Sequence, residues 1–121
     1  MKVAVFSFRN NSAYKRQVER AVKKHHFILT RTHPDAVFCV GGDGTFYAAE
    51  RSHPGVPKIL LRHSSVCYNC ENLPLETMLR LLEQKKFFFH RLPKIEARVG
   101  RHRLLAVNDI TIRNKEAQFG L

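Results

Sequence analysis

The sequence predicts an α/β fold with a mainly parallel sheet, flanking helices and an antiparallel β segment towards its end. Three observations predict this class. Runs that are apolar at nearly every position, such as residues 3–8 and 36–40, are typical of strands buried on both faces. Stripes of apolar residues at helical spacing alternate with these runs. Beyond residue 87, apolar and polar residues alternate, as in antiparallel strands with one solvated face.

The first half of the chain predicts a Rossmann-like order of elements. Strands are expected over residues 3–8, 27–30, 36–40 and 57–61, and a short helix over 46–51. Two further helices are indicated near 12–24 and 75–84 by the apolar stripes Tyr14, Val18, Ala21, Val22 and Leu75, Met78, Leu79, Leu82. We expect strands 3–8, 36–40 and 57–61 to be neighbours in one sheet, with residues 41–45 at its carboxyl edge.

The later part of the chain predicts a β hairpin. Residues 95–99 and 102–107 alternate in polarity on either side of Gly100 and Arg101, and Ile110 and Ile112 continue the alternation. We interpret residues 1–121 as a single domain with an α/β part over 3–86 and a β-rich part over 87–113. The three consecutive phenylalanines at 87–89 are expected to lie in the core.

Length and charge exclude several classes of protein. A chain of 121 residues supports one modest core, and no apolar run reaches the roughly 18 residues that span a bilayer. The segment that begins at Met1 lacks the features of a signal peptide, so a cytoplasmic location is expected without a membrane partner. The formal net charge of +11 favours anionic partners such as nucleotides, polyphosphates or nucleic acids. The sequence leaves a homo-oligomer open.

The cysteines do not predict a disulfide framework or a metal centre. Cys39 lies in an apolar run, and Cys67 and Cys70 form a single Cys-x-x-Cys. Four zinc ligands cannot be assembled at suitable spacing, so we expect the purified protein to contain no stoichiometric zinc by elemental analysis.

One glycine-rich segment, Gly41-Gly42-Asp43-Gly44-Thr45, follows the predicted buried strand 36–40. Glycines there allow close backbone approaches, and open α/β sheets bind ligands at the carboxyl ends of their strands. A carboxylate in such a turn would repel a bare phosphate. Asp43 is therefore better suited to bind Mg²⁺, or to accept a proton from a hydroxyl group that attacks a phosphoryl group. The alternative is a plain tight turn containing an Asp-Gly pair.

This segment resembles the signature of a kinase superfamily that includes NAD kinases, diacylglycerol-type lipid kinases and, more distantly, phosphofructokinases. The residues that follow, Phe46 to Arg51 and Val56 to Leu60, are most similar to NAD kinases. Residues 106–112 resemble a second NAD-kinase segment, with Asn108-Asp109 in place of an Asn-Glu pair. The resemblance covers most of the chain. It differs at Ala48, where the family usually has a basic residue or histidine.

The resemblance implies transfer of the γ-phosphoryl group of ATP, with Mg²⁺, to the 2′-hydroxyl of the adenosine ribose of NAD, which gives NADP. Asp43 would then be the catalytic proton acceptor. The implied substrate-binding residues are Gly42, Gly44, Thr45, Asn108 and Asp109, and no protein-bound metal is implied.

The resemblance also implies a C-terminal β-sandwich domain, which these 121 residues do not contain. We therefore expect the chain alone to show no substantial NAD phosphorylation. Two alternatives remain open at this point. One is a nucleotide-binding module without catalysis, and the other, less favoured, is a basic nucleic-acid-binding domain that uses residues 87–89 as stacking platforms.

Overall fold

The computed structural model describes residues 1–7, 13–62 and 73–107, and it confirms the α/β class. The chain divides into two compact units, the first over Met1–Phe89 and the second from His90 onwards. Within these described ranges, the first unit contains a four-stranded sheet and three helices, and the second contains a two-stranded hairpin.

The sheet of the first unit is entirely parallel, with the order β2-β1-β3-β4. Its elements, in chain order, are β1 (Lys2–Phe6), α1 (Ala13–Lys24), β2 (Ile28–Leu29), β3 (Ala36–Gly41), α2 (Asp43–Ser52), β4 (Lys58–Arg62) and α3 (Leu75–Glu83). The strands predicted at 3–8, 36–40 and 57–61 correspond to β1, β3 and β4, which are neighbours in the sheet, and Phe8 lies outside the described residues. Because β3 runs parallel to β1 and β4, the segment that follows Gly41 lies at the carboxyl edge of the sheet, as predicted.

β3 is buried on both faces, which explains its continuous apolar run. Val37, Phe38, Cys39 and Val40 are each at most 3% exposed. Phe38 and Val40 pack in a cluster with the buried stripes of α1 and α3. Successive strand residues point to opposite faces, so Val37 and Cys39 face the other side, where α2 contacts β3 and β4. The central strand is therefore covered by helices on both sides.

The predicted helix stripes are confirmed in α1 and α3. Val18, Ala21 and Val22 of α1 are buried, as are Met78 and Leu79 of α3. Tyr14, Leu75 and Leu82 pack against the same cluster from partly exposed positions. The helical spacing of apolar residues was therefore sufficient to predict α1 and α3.

The second unit contains β5 (Ile95–Val99) and β6 (His102–Ala106), which pair antiparallel as expected. Gly100, at a φ of 60°, lies in the turn that joins them. The predicted continuation at Ile110 and Ile112 lies outside the described residues.

α1 and α3 are joined by a histidine held between two carboxylates. His25 Nε2 lies 2.6 Å from Glu76 Oε2, and His25 Nδ1 lies 3.0 Å from Glu83 Oε1. Both ring nitrogens can donate to carboxylates only when the imidazole is protonated. The hydrogen bond to Glu76 is the main cause that raises the pKa of His25, and the same contact lowers the pKa of Glu76.

This contact predicts a pH-dependent stability. A raised folded-state pKa at His25 contributes stability that is complete below about pH 6.5, the ordinary histidine value, and is lost as the pH rises through the raised pKa. We expect the urea midpoint of the wild type to fall between about pH 6 and pH 8.5, and His25→Gln to reduce that fall. His33→Gln, a change at an exposed histidine away from α3, is the control. An unchanged pH dependence in His25→Gln would contradict the assignment.

Candidate functional site

The turn between β3 and α2 requires glycine at its first position. Gly41 has a φ of 151°, which side-chain-bearing residues rarely adopt. A Cβ atom added there would overlap Thr45 Oγ1 and lie 3.1 Å from Thr45 Cβ. The absence of a side chain at Gly41 therefore lets the first turn of α2 close against the end of β3.

α2 begins three residues earlier than the sequence predicted. Gly42 is its N-cap, and the Gly42 carbonyl accepts hydrogen bonds from the amides of Thr45 at 3.1 Å and Phe46 at 3.3 Å. The predicted start at Phe46 was wrong because glycine-rich sequences are typical of loops. The second half of the glycine-rich segment is instead the first helical turn.

The structure divides the glycine-rich segment into a buried side and an accessible side. Thr45 is only 6% exposed, and Phe46 and Ala49 are buried with it against the sheet. Gly42 and Asp43 are half-buried, and Gly44 is exposed. Ligands can therefore reach Gly42, Asp43 and Gly44, whereas the Thr45 side chain packs beside Gly41.

Asp43 lies where a carboxylate is electrostatically favoured. It is the acidic residue in the first turn of α2, where the partial positive charge of the helix N-terminus stabilises an anion. An ionised carboxylate at the carboxyl edge of a sheet can accept a hydrogen bond from a ligand hydroxyl and then take its proton. The predicted role of Asp43 as a proton acceptor stays a prediction.

The other predicted chemistry-bearing residues lie outside the described part of the chain. Asn108 and Asp109 follow β6, which ends at Ala106. Cys67 and Cys70 lie between β4 and α3. Their predicted roles therefore stay predictions. Over the described ranges, which stop at residue 107, no group of three histidine, cysteine or acidic side chains could hold a metal ion.

Cys39 carries no nucleophilic chemistry in the folded state. Its side chain lies in β3, 2% exposed. Burial raises the pKa of the Cys39 thiol to about 12, so almost none of it is thiolate near neutral pH. Cys39 therefore acts as a small apolar residue of the core.

A buried ion pair that the sequence analysis missed fixes the far end of α2. Lys58 Nζ at the start of β4 donates to Glu50 of α2, and the two side chains are 3% and 12% exposed. Lys58 Nζ also donates to the His53 carbonyl at 2.5 Å, and Glu50 Oε1 accepts the Gly55 amide at 2.9 Å. No pattern in a single sequence indicates that these two charged residues are buried and paired. The network ties α2, whose first turn carries Asp43, to β4.

We expect Lys58→Met to lower the free energy of unfolding by about 3 kcal/mol, because it leaves the Glu50 carboxylate buried without its cation. Glu50→Leu combined with Lys58→Met should recover most of this loss, since no charge is then buried. Lys15→Met removes a cation from the more exposed Lys15–Glu19 pair at 4.0 Å and should cost less than about 1 kcal/mol. Urea unfolding measures all three variants. Equal costs for Lys58→Met and Lys15→Met would contradict the importance of the buried pair.

A search of known proteins finds a relative for almost the whole chain. The chain is 25% identical to an NAD kinase from Sulfurisphaera tokodaii, over 99% of its own length and 50% of that protein. It thus bears a weak family resemblance to NAD kinases. The chain spans about half the length of the curated relative, and no known family profile matches it. Within the described residues, no helix is long and apolar enough to cross a membrane.

Proposed function

We propose that this chain is the α/β part of an NAD-kinase-like phosphotransferase. The reaction transfers the γ-phosphoryl group of ATP to the 2′-hydroxyl of the adenosine ribose of NAD, and the products are NADP and ADP. One observation carries the proposal. Asp43 is accessible at the carboxyl edge of a parallel sheet, in the first turn of a helix that Gly41 allows to pack tightly against its strand.

The proposed role of Asp43 is that of a general base. Its carboxylate would accept a hydrogen bond from the 2′-hydroxyl and orient the oxygen towards the phosphorus. As the new O–P bond forms and the bond to the leaving ADP oxygen breaks, Asp43 takes the hydroxyl proton. Mg²⁺ enters as part of the MgATP substrate, whose phosphates supply the oxygen ligands that magnesium prefers.

The glycines beside Asp43 supply the room that a dinucleotide needs. Gly42 and Gly44 are accessible and carry no side chain, so a ribose can approach the backbone on either side of the carboxylate. Thr45 contributes by packing under the turn. We further propose that Asn108 and Asp109 hold the adenosine part of NAD, as the family resemblance implies.

The test joins this chain to the half of the Sulfurisphaera tokodaii NAD kinase that the alignment leaves unmatched, here called the extended protein. With MgATP and NAD it should form NADP, detected through an NADP-dependent dehydrogenase. The 121-residue chain alone should form no substantial amount, because phosphoryl transfer depends on positioning both substrates. NAD binding to both proteins is measured by isothermal titration calorimetry.

The same experiment separates catalysis from simple nucleotide binding. NAD binding to the extended protein without NADP formation would favour the non-catalytic module. Robust NADP formation by the 121-residue chain would contradict the argument that further chain is needed. A folded extended protein that neither binds NAD nor forms NADP would contradict the proposed function itself.

A further inference from the structure

The end of α2 that lies farthest from Asp43 is held by the buried Glu50–Lys58 pair. Glu50 belongs to the second half of α2, and Lys58 is the first residue of β4. By comparison, the Lys15–Glu19 pair on α1 includes a carboxylate side chain that is 36% exposed. Desolvating a buried pair is costly, and replacing one with apolar side chains of similar volume often leaves stability unchanged or improves it. A contribution to stability therefore does not explain why the two charges are buried.

The apolar contacts of the second half of α2 do little to fix this end of the helix. Ala48 and Ala49 are 7% and 0% exposed, so this half meets the sheet with two methyl groups. Such contact is non-directional, and alanine side chains are too small to interlock with the strands below them. A directional contact is needed to hold this end of α2 in one position.

The hydrogen bonds around the pair supply that direction. Lys58 Nζ donates to Glu50 and, at 2.5 Å, to the carbonyl of His53, the C-cap of α2. Glu50 Oε1 accepts the Gly55 amide at 2.9 Å. Lys58 lies opposite Val37 in the pairing of β4 with β3. Because hydrogen bonds weaken steeply when their lengths and angles change, the network fixes the end of α2 at the amino edge of the sheet.

A shift at this end of α2 would reach Asp43. Asp43 and Glu50 belong to the same unbroken helix, about 10 Å apart along its axis at about 1.5 Å per residue. A helix of this length moves as a rigid body, because backbone hydrogen bonds join each turn to the next. At the other end, Thr45 packs beside Gly41. The position of the Asp43 carboxylate therefore depends on both attachments, and a misplacement of about 1 Å at a reacting group can lower a rate about 100-fold.

We propose that Glu50 and Lys58 are positioning residues for Asp43. The buried pair sets the position of α2 along its axis and, through the rigid helix, holds the Asp43 carboxylate where a substrate hydroxyl can reach it. The catalytic consequence rests on the proposed function, whereas the position of the carboxylate rests on the contacts of α2. A pair that contributed only to stability could be replaced with apolar side chains without further effect, and a positioning pair could not.

The first experiment records the backbone amide NMR signals of the 121-residue protein. Glu50→Leu combined with Lys58→Met removes both charges and should unfold near the wild-type urea concentration. The signals of Asp43 and Gly44, in the first turn of α2, should nevertheless shift by more than their line width. Lys15→Met removes a cation from the more exposed pair on α1 and should leave these two signals in place.

The second experiment measures NADP formation by the extended protein. The double variant should lower kcat about 10- to 100-fold and change the KM for NAD less than about threefold, because the dinucleotide is held at other residues. Equal urea midpoints exclude unfolded protein as the cause of the lower kcat. Lys15→Met should keep the wild-type kcat. If the double variant does not fold, Glu50→Gln combined with Lys58→Met, which keeps the shapes of both side chains, should show the same changes.

Two results would overturn the inference. Unshifted Asp43 and Gly44 signals in a folded double variant would show that the pair does not set the position of the first turn. Wild-type kcat in this variant, in an extended protein that forms NADP, would show that the pair contributes to stability alone. A wild-type extended protein that neither binds NAD nor forms NADP would contradict the proposed function instead, and the amide signals would still decide whether the pair positions Asp43.

Discussion

Gly41→Ala is expected to destabilise the protein by about 3–5 kcal/mol, a large part of the free energy that keeps a small domain folded. Two costs combine. The φ of 151° is strained for any residue with a Cβ, at about 1–3 kcal/mol. The new methyl group also overlaps Thr45 Oγ1, and Thr45 is buried and cannot move away without shifting the first turn of α2. Urea unfolding followed by circular dichroism measures the loss.

Two control variants separate these costs. Gly55 also has a positive φ, 74°, but an added Cβ there meets nothing within 4 Å. Gly55→Ala should therefore cost only about 1 kcal/mol, from backbone strain alone. Adding Thr45→Ala to Gly41→Ala should recover part of the loss, because it removes the overlapping oxygen. If Gly41→Ala and Gly55→Ala unfold at the same urea concentration, the proposed overlap of a Cβ at position 41 with Thr45 does not contribute to stability.

The sequence predicted the sheet and its covering helices because burial leaves a direct mark on residue type. The run from Ala36 to Val40 has no polar position. A strand that is covered on both faces is apolar at every position, whereas a strand with one solvated face alternates. Val18, Ala21 and Val22 repeat at helical spacing because one face of α1 meets the core. Such one-dimensional patterns predict the elements and their order along the chain.

The start of α2 could not be predicted in the same way. Glycine is a poor helix former, so local preference places Gly44 in a loop. The helix nevertheless begins at Asp43 because Thr45, Phe46 and Ala49 gain burial against the sheet when the first turn is helical. Tertiary packing thus overrides local preference at the position that carries the candidate catalytic carboxylate.

In the candidate site too, the sequence predicted some features and missed others. A carboxylate among glycines after a buried strand drew attention to Asp43 from the sequence alone. The Glu50–Lys58 pair gave no comparable signal, since what identifies it is the burial of both charges and not their spacing. The phenylalanines at 87–89 show the opposite error. They were expected in the core but lie exposed, because hydrophobicity predicts burial only when enough surrounding chain packs over the side chains.

Asp43→Asn in the extended protein is expected to lower the turnover of NAD about 10²–10⁴-fold. The asparagine side chain has nearly the same shape and fits the same first turn of α2, so the fold and the turn at Gly41 should persist. The amide cannot accept the proton of the 2′-hydroxyl, and the transition state loses its base. The affinity for NAD should change much less, because Asp43 acts on one reacting hydroxyl while the remainder of the dinucleotide is held elsewhere.

Asp35→Asn is the matched control for this result. Asp35 lies at the amino edge of the sheet, where its carboxylate accepts the Lys2 amide at 2.8 Å, far along the strands from Asp43. This variant loses a carboxylate of the same kind without touching the carboxyl edge, so NADP formation should continue at the wild-type rate. Full turnover by Asp43→Asn would show that Asp43 has a structural role in the first turn of α2 and is not the general base.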